Sequence, residues 1–87
     1  AIIRSLAYEL APLGITANSI QAGVTDTESL RLIPGSEVLK EEALRMNPNG
    51  RLTLPEDVAN MVYLLCKPEA QWITGAVIPV DGGEHMI

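Results

Sequence analysis

The chain has 87 residues, 47% of them hydrophobic, with one cysteine and no Phe. Its net charge is −5 and its six basic residues form no stripe, which disfavours a nucleic-acid or anionic-membrane partner. The single Cys66 excludes an internal disulfide framework and a cysteine zinc cluster, and no apolar run is long enough to span a bilayer.

From Ala1 to Leu10 the sequence reads as helix, with Ile3, Leu6, Ala7 and Leu10 on one apolar face. Ala11-Pro12-Leu13-Gly14 ends it, Gly14 serving as a left-handed stop. Ile15 to Gln21 is rich in β-branched residues and bounded by glycines, so it reads as a strand. Ala22 to Thr27 reads as a loop, and Glu28 to Ile33 as a short helical turn. Ser36 is placed to cap a helix running through Met46, with Glu37 in its first turn and Arg45 in its last. Asn47-Pro48-Asn49-Gly50 is a turn. Pro55 then opens a helix, followed by Glu56 and Asp57 at the positive end of its dipole. Val58, Met61, Val62 and Leu65 are expected to form its buried stripe, and Lys67-Pro68 closes it. Ala76 to Val80 reads as a second strand, which Asp81-Gly82-Gly83 leaves.

Two strands separated by helices imply a parallel crossover unit. Parallel strands are normally covered on both faces and paired on both sides, which two strands alone cannot achieve. The opening helix also has no cap in its first turn. The expectation is therefore a piece of a larger α/β domain, without an internal boundary and marginal if isolated. A chain of this size buries only about 60–65% of its unfolded surface.

Chemistry concentrates in Asn18-Ser19-Ile20-Gln21-Ala22-Gly23-Val24-Thr25-Asp26-Thr27. An apolar segment ends in a glycine and opens into hydroxyl and acidic residues, as a buried strand does when it delivers polar groups to a ligand at its carboxyl end. Three stretches, in this order and spacing, resemble the C-terminal third of a short-chain dehydrogenase/reductase. They are Arg4 to Ile20, Gly50 to Ala59 and Ile73 to Gly83. The resemblance implies the last two strands and three to four helices of a doubly wound, Rossmann-like parallel sheet. Residues 1–87 would then be the C-terminal segment of one NAD(P)-binding domain.

The family's strand end is usually Asn-x-x-x-Pro-Gly-x-Ile/Val-x-Thr. Asn18, Gly23 and Thr27 match, while Ala22 replaces the proline and Thr25 the Ile/Val. The resemblance implies that cofactor binding falls to Ala22, Gly23, Thr25 and Thr27. The Thr25 backbone would meet the nicotinamide carboxamide, and the Thr27 hydroxyl would bond the carboxamide or the pyrophosphate. The cofactor would be NADP or NAD; the residues that separate the two do not fall in these stretches. Ala in place of that Pro is similar to the enoyl-acyl carrier protein reductase branch, third type, with the 3-oxoacyl-acyl carrier protein reductase branch as competitor. The implied activity is reduction of an enoyl thioester in fatty-acid synthesis, with 3-oxoacyl-acyl carrier protein reduction or another short-chain alcohol dehydrogenase activity as the alternative. The implied setting is a cytoplasmic homo-tetramer with acyl carrier protein as a possible partner. A non-catalytic cofactor-binding relative or an assembly element is the alternative from another class. The family's catalytic tyrosine and lysine are expected upstream of Ala1, so no catalytic residue is assigned within the chain. The 87 residues alone are expected to be inactive.

Other residues have plainer readings. Tyr63-x-x-x-Lys67 spells the family's catalytic spacing, but it falls in a helix that packs outside the sheet in this family. Tyr8 fails as the catalytic tyrosine because position 12 is Pro. Cys66 is expected to be buried apolar filler and Trp72 to be packing. His85 is expected in an exposed tail, and one histidine makes no metal site. Arg51 could pair with a carboxylate inside the fold or sit near substrate, and the structural reading is favoured. Gly82 and Gly83 are expected to be turn glycines. Asp26, Glu28 and Glu37 form no acid–base pair. The apolar residues Leu30, Leu32, Ile33, Val38, Leu39 and Leu44 could equally line an acyl pocket or an ordinary helix face.

Overall fold

Helical periodicity at the start of the chain becomes α1 (Ile2–Leu10), which tightens into a single 3-10 turn at Ala11–Leu13. Gly14 stops it in the left-handed conformation, φ 73°. The computed structural model describes residues 2–86. Next come β1 (Ser19–Ala22), α2 (Glu28–Arg31), α3 (Ser36–Met46), α4 (Pro55–Leu65), a 3-10 turn at Pro68–Ala70, and β2 (Val77–Val80). The architecture is α/β, as expected.

The two strands pair in parallel, Ser19 opposite Val77 and Ala22 opposite Val80. Both therefore end at the same edge, where the chain leaves β1 toward α2 and leaves β2 toward its terminal turn. Ser19 N–H bonds the Ala76 carbonyl and Gly23 N–H the Val80 carbonyl. Alternation along the ladder turns the nitrogen of Pro79, which has no hydrogen to donate, to the far side of β2. β2 thus carries a device that ends a sheet, whereas β1 has no proline within it.

The strand beginning at Ile15 in the sequence reading begins at Ser19 in the structure. Before Ser19, side chains make several of the links. Ala17 N–H donates to the Thr74 hydroxyl at 3.1 Å, and Ala76 N–H donates to Asn18 Oδ1 at 3.1 Å. Asn18 also donates to the Ile73 carbonyl. Ala22, read as loop, is the last residue of β1, because the ladder continues through it to Gly23. Ser36 does not cap α3. Gly35 holds the cap position with φ 84°, and Ser36 is a buried first residue.

The buried apolar residues are all alanines, Ala7, Ala43 and Ala70, and no large side chain is fully buried among the described residues. Ala7 faces the turn into β2, its Cβ lying 3.5 Å from where a Cβ on Gly75 would stand. A compact 9.4-kDa monomer exposes about 5,000 Å², against 6429 Å² here. Its radius of gyration would be about 12 Å, against 15.4 Å here. The helices and strands form, but the chain does not supply the layer that would cover them. Two readings fail for that reason. Cys66 is exposed, and Trp72 is 97% exposed. Along α4, Val58, Met61 and Leu65 are half-buried while Val62 is exposed. No helix is long and apolar enough to cross a membrane among the described residues.

Candidate functional site

Three segments converge at the carboxyl edge of the two strands. Residues 23–27 leave β1, residues 81–86 leave β2, and the link between α3 and α4 passes beside both. Gly23 is where they crowd. A Cβ there would stand 2.7 Å from Thr53 Oγ1, 3.0 Å from Asp81 Cβ and 3.1 Å from Glu84 Oε1. The close approach that glycine permits is thus already filled by the chain's own residues.

Thr25 forms a parallel bridge with Thr53. Its two bonds run from Thr53 N–H to the Val24 carbonyl and from Asp26 N–H to the Thr53 carbonyl. They leave the amide and carbonyl of Thr25 itself outside the bridge, a donor and an acceptor side by side. The Thr25 hydroxyl is occupied, donating to the Gly23 carbonyl at 2.9 Å. Thr27 caps α2, its oxygen accepting from Leu30 N–H at 3.2 Å. That bond uses a lone pair and leaves the hydroxyl proton available for another acceptor. Ala22 is exposed at the end of β1. The four residues singled out in the sequence are therefore contiguous at one edge, with different backbone and side-chain roles.

The support beneath them was not legible. Asn47 is buried, donates to the Asp81 carbonyl at 2.9 Å and accepts from Asn49 N–H at 2.8 Å. Asn49 donates to the Gly82 carbonyl. The turn after α3 is thereby tied to the turn after β2, in which Gly82 and Gly83 both take positive φ, as turn glycines do. Val24 N–H donates to both carboxylate oxygens of buried Glu84, at 3.2 and 3.3 Å. His85 Nδ1 lies 2.9 Å from Asp81 Oδ2, and Nε2 lies 3.3 Å from Glu84 Oε2. His85 is exposed, as expected, but it is also bound. Its hydrogen bond, and then one from Gly83 N–H, hold the Asp81 carboxyl below its ordinary range.

Asp26 pairs with Arg31 at 3.2 Å and with Lys40 at 3.3 Å, and those two cations lower its pKa. It thus ties residues 23–27 to α2 and α3. Arg51 is structural. It grips Asp57 through both nitrogens at 2.8 and 3.0 Å. Asp57 also accepts from Leu54 N–H at the start of α4, and the two contacts bring its pKa down to about 2. Tyr63 lies on α4 and Lys67 just beyond its end, with the ammonium 5.0 Å from the ring centroid, a cation–π contact. No group of three or more His, Cys, Asp or Glu side chains is arranged to hold a metal ion among the described residues.

An open cleft of about 200 Å³ adjoins this edge. Val24, Leu39, Ala43 and Met46 give it an apolar lining, with Glu42, Glu84 and His85 at its charged side. Of the apolar residues named in the sequence as acyl-pocket candidates, only Leu39 lines it.

A family profile described as Enoyl-(Acyl carrier protein) reductase matches residues 1–85. The chain belongs to the short-chain dehydrogenase/reductase family. It is 41% identical over 83 residues to the 3-oxoacyl-(acyl-carrier-protein) reductase MabA of Mycobacterium tuberculosis, covering 95% of this chain and 33% of MabA. It is 40% identical over 83 residues to the uncharacterized oxidoreductase YjdA of Bacillus subtilis, covering 95% of this chain and 31% of YjdA. The crystal structure of enoyl-(acyl-carrier-protein) reductase (NADH) from Aquifex aeolicus superposes with a TM-score of 0.88 at 38% identity, over 98% of this chain and 33% of that one. This reductase-family chain thus spans about a third of the relatives it matches.

Proposed function

We propose that the chain forms the nicotinamide-facing end of an NAD(P)H-dependent reductase of acyl thioesters. The observation that carries this reading is the pair of groups on Thr25. A carboxamide needs one donor and one acceptor side by side, and the amide and carbonyl left outside the Thr25–Thr53 bridge offer that match. The remaining hydroxyl proton of Thr27 adds a donor for a carboxamide or pyrophosphate oxygen. When bound, the cofactor would supply a hydride. The work of these residues is to hold the ring's orientation, so that donor and acceptor carbons meet in contact.

Residues 1–87 would serve as the C-terminal segment of a single doubly wound domain. Its sheet would continue past the free edge of β1, because Pro79 closes the β2 side. A tyrosine–lysine pair, which the family resemblance implies, would act from that continuation. For substrate we favour an enoyl thioester, in line with the structural likeness to the Aquifex enzyme. A 3-oxoacyl thioester is the second reading, favoured by the 41% identity to MabA. Both reductions deliver hydride to the same acyl carbon, the third, so one clamp geometry serves either. A carrier-protein partner and a homo-oligomer belong to the same proposal.

The test is oxidation of NADH and NADPH by the native polypeptide, with crotonyl and acetoacetyl thioesters offered in parallel. Consumption with crotonyl substrate alone supports the favoured reading, and with acetoacetyl alone the second. Binding of neither cofactor would remove the clamp.

A further inference from the structure

We infer that Glu84 and His85, with Asp81, form a charge-dependent latch that fixes the backbone of residues 23–27 and loosens when His85 loses its proton. The last residues of the chain are thereby assigned a positioning role toward the cofactor edge.

The geometry has two links. The first is Val24 N–H, whose partner is a carboxylate 60 positions away in sequence, bound through both of its oxygens. Val24 lies between Gly23, which has no side chain to anchor it, and Thr25, whose own amide and carbonyl are committed to nothing in the bridge. Glu84 therefore shares with the Thr53 bridge the positioning of the Thr25 peptide groups. The second link is the imidazole. Both ring nitrogens face carboxylate oxygens, Nδ1 toward Asp81 and Nε2 toward Glu84. A carboxylate only accepts, so both contacts are satisfied only when both nitrogens carry hydrogen, that is, by the imidazolium. Neutral histidine keeps one contact and turns a lone pair toward the other carboxylate.

The two charged groups in contact with the ring are both carboxylates. Asp81 and Glu84 lie on its own segment, and Glu42 reaches the shared cleft from α3, where it also pairs with Arg45. Residues 23–24 bring no charge to the ring. Loss of the imidazolium leaves Asp81 and Glu84, both largely buried, close together without their shared cation. That arrangement favours withdrawal of Glu84 from Val24.

Amide hydrogen exchange in the native polypeptide tests this directly, read as the protection factor of Val24 from about pH 5 to about pH 8. The expected result is a fall in protection of at least about tenfold across this range, the loss of one charge-assisted hydrogen bond from the cluster. His85→Arg carries a charge that does not titrate in this range and should give a flat, protected profile. Glu84→Gln keeps an acceptor for Val24 but removes the charge, and should shrink the step. A flat native profile would overturn the latch, as would a step that survives in His85→Arg. A parallel fall at the Leu65 amide of α4 would overturn it too, since it would mean global loosening. The consequence for cofactor binding rests on the clamp proposed above, and NADH affinity over the same pH range separates the two. An exchange step without an affinity step keeps the latch and removes the clamp.

Discussion

Replacing Gly23 with Ala should cost about 2 kcal/mol of folding stability, the middle of the range for one extra carbon forced into a filled space. The backbone of Gly23 is not in the left-handed region, so conformational strain does not contribute. The cost is contact. The new Cβ would meet Thr53 Oγ1 at 2.7 Å, Asp81 Cβ at 3.0 Å and Glu84 Oε1 at 3.1 Å. Thr53 is 4% exposed and holds the bridge to Thr25, and Asp81 is held by Asn47 and His85, so neither neighbour yields easily. The shortest contact is with a hydroxyl, so Thr53→Ala should remove part of the clash. In a double-mutant cycle by urea denaturation, Gly23→Ala should be less damaging in the Thr53→Ala background, with a coupling of about 1 kcal/mol. A single-mutant cost below about 0.5 kcal/mol, or additive effects, would refute the crowding argument.

Asn47→Ala should destabilise by roughly 1–3 kcal/mol, because it strips a buried donor from the Asp81 carbonyl and an acceptor from Asn49 N–H. The same denaturation experiment checks it, and a neutral result would mean that the two turns are not joined through this side chain. Thr27→Val should lose about 1 kcal/mol through the α2 cap. It should also raise the cofactor KM, whereas Thr27→Ser restores both; a KM unchanged in Thr27→Val would remove this hydroxyl from the cofactor site. Asp57 has a folded-state pKa of about 2 against an ordinary 3.8, held down first by Arg51 and then by Leu54 N–H. Protons therefore bind the unfolded form more tightly. The contribution of Asp57 is fully present above about pH 5 and is lost as pH falls through about 2. Thermal midpoints of the native protein and Asp57→Asn should thus differ at neutral pH and converge in acid, and a gap that persists at low pH would contradict the assignment.

Local chemistry made much of the fold readable. Pro55 at the first turn of α4 and Gly14 after α1 act within a few residues, and the structure keeps both. Strand limits were less readable, because a ladder ends where its partner ends. Ser19, not Ile15, is the first residue to meet β2, and Ala22 is still paired. Burial was least readable. Cys66 and Trp72 have the composition of core residues, yet their exposure depends on which elements stand opposite them.

The sequence alone determined the order of helices and parallel strands, and the polar stretch at the end of β1, because periodicity, turn residues and caps are properties of neighbours along the chain. Only the tertiary structure decided how that stretch is held. Glu84 reaches Val24, Asn47 reaches Asp81, and Thr53 fills the space beside Gly23. Those contacts join residues from 30 to 60 positions apart, and no local pattern encodes them. They exist because parallel strands release their loops at one edge, where peptide groups that lose the ladder must find new partners.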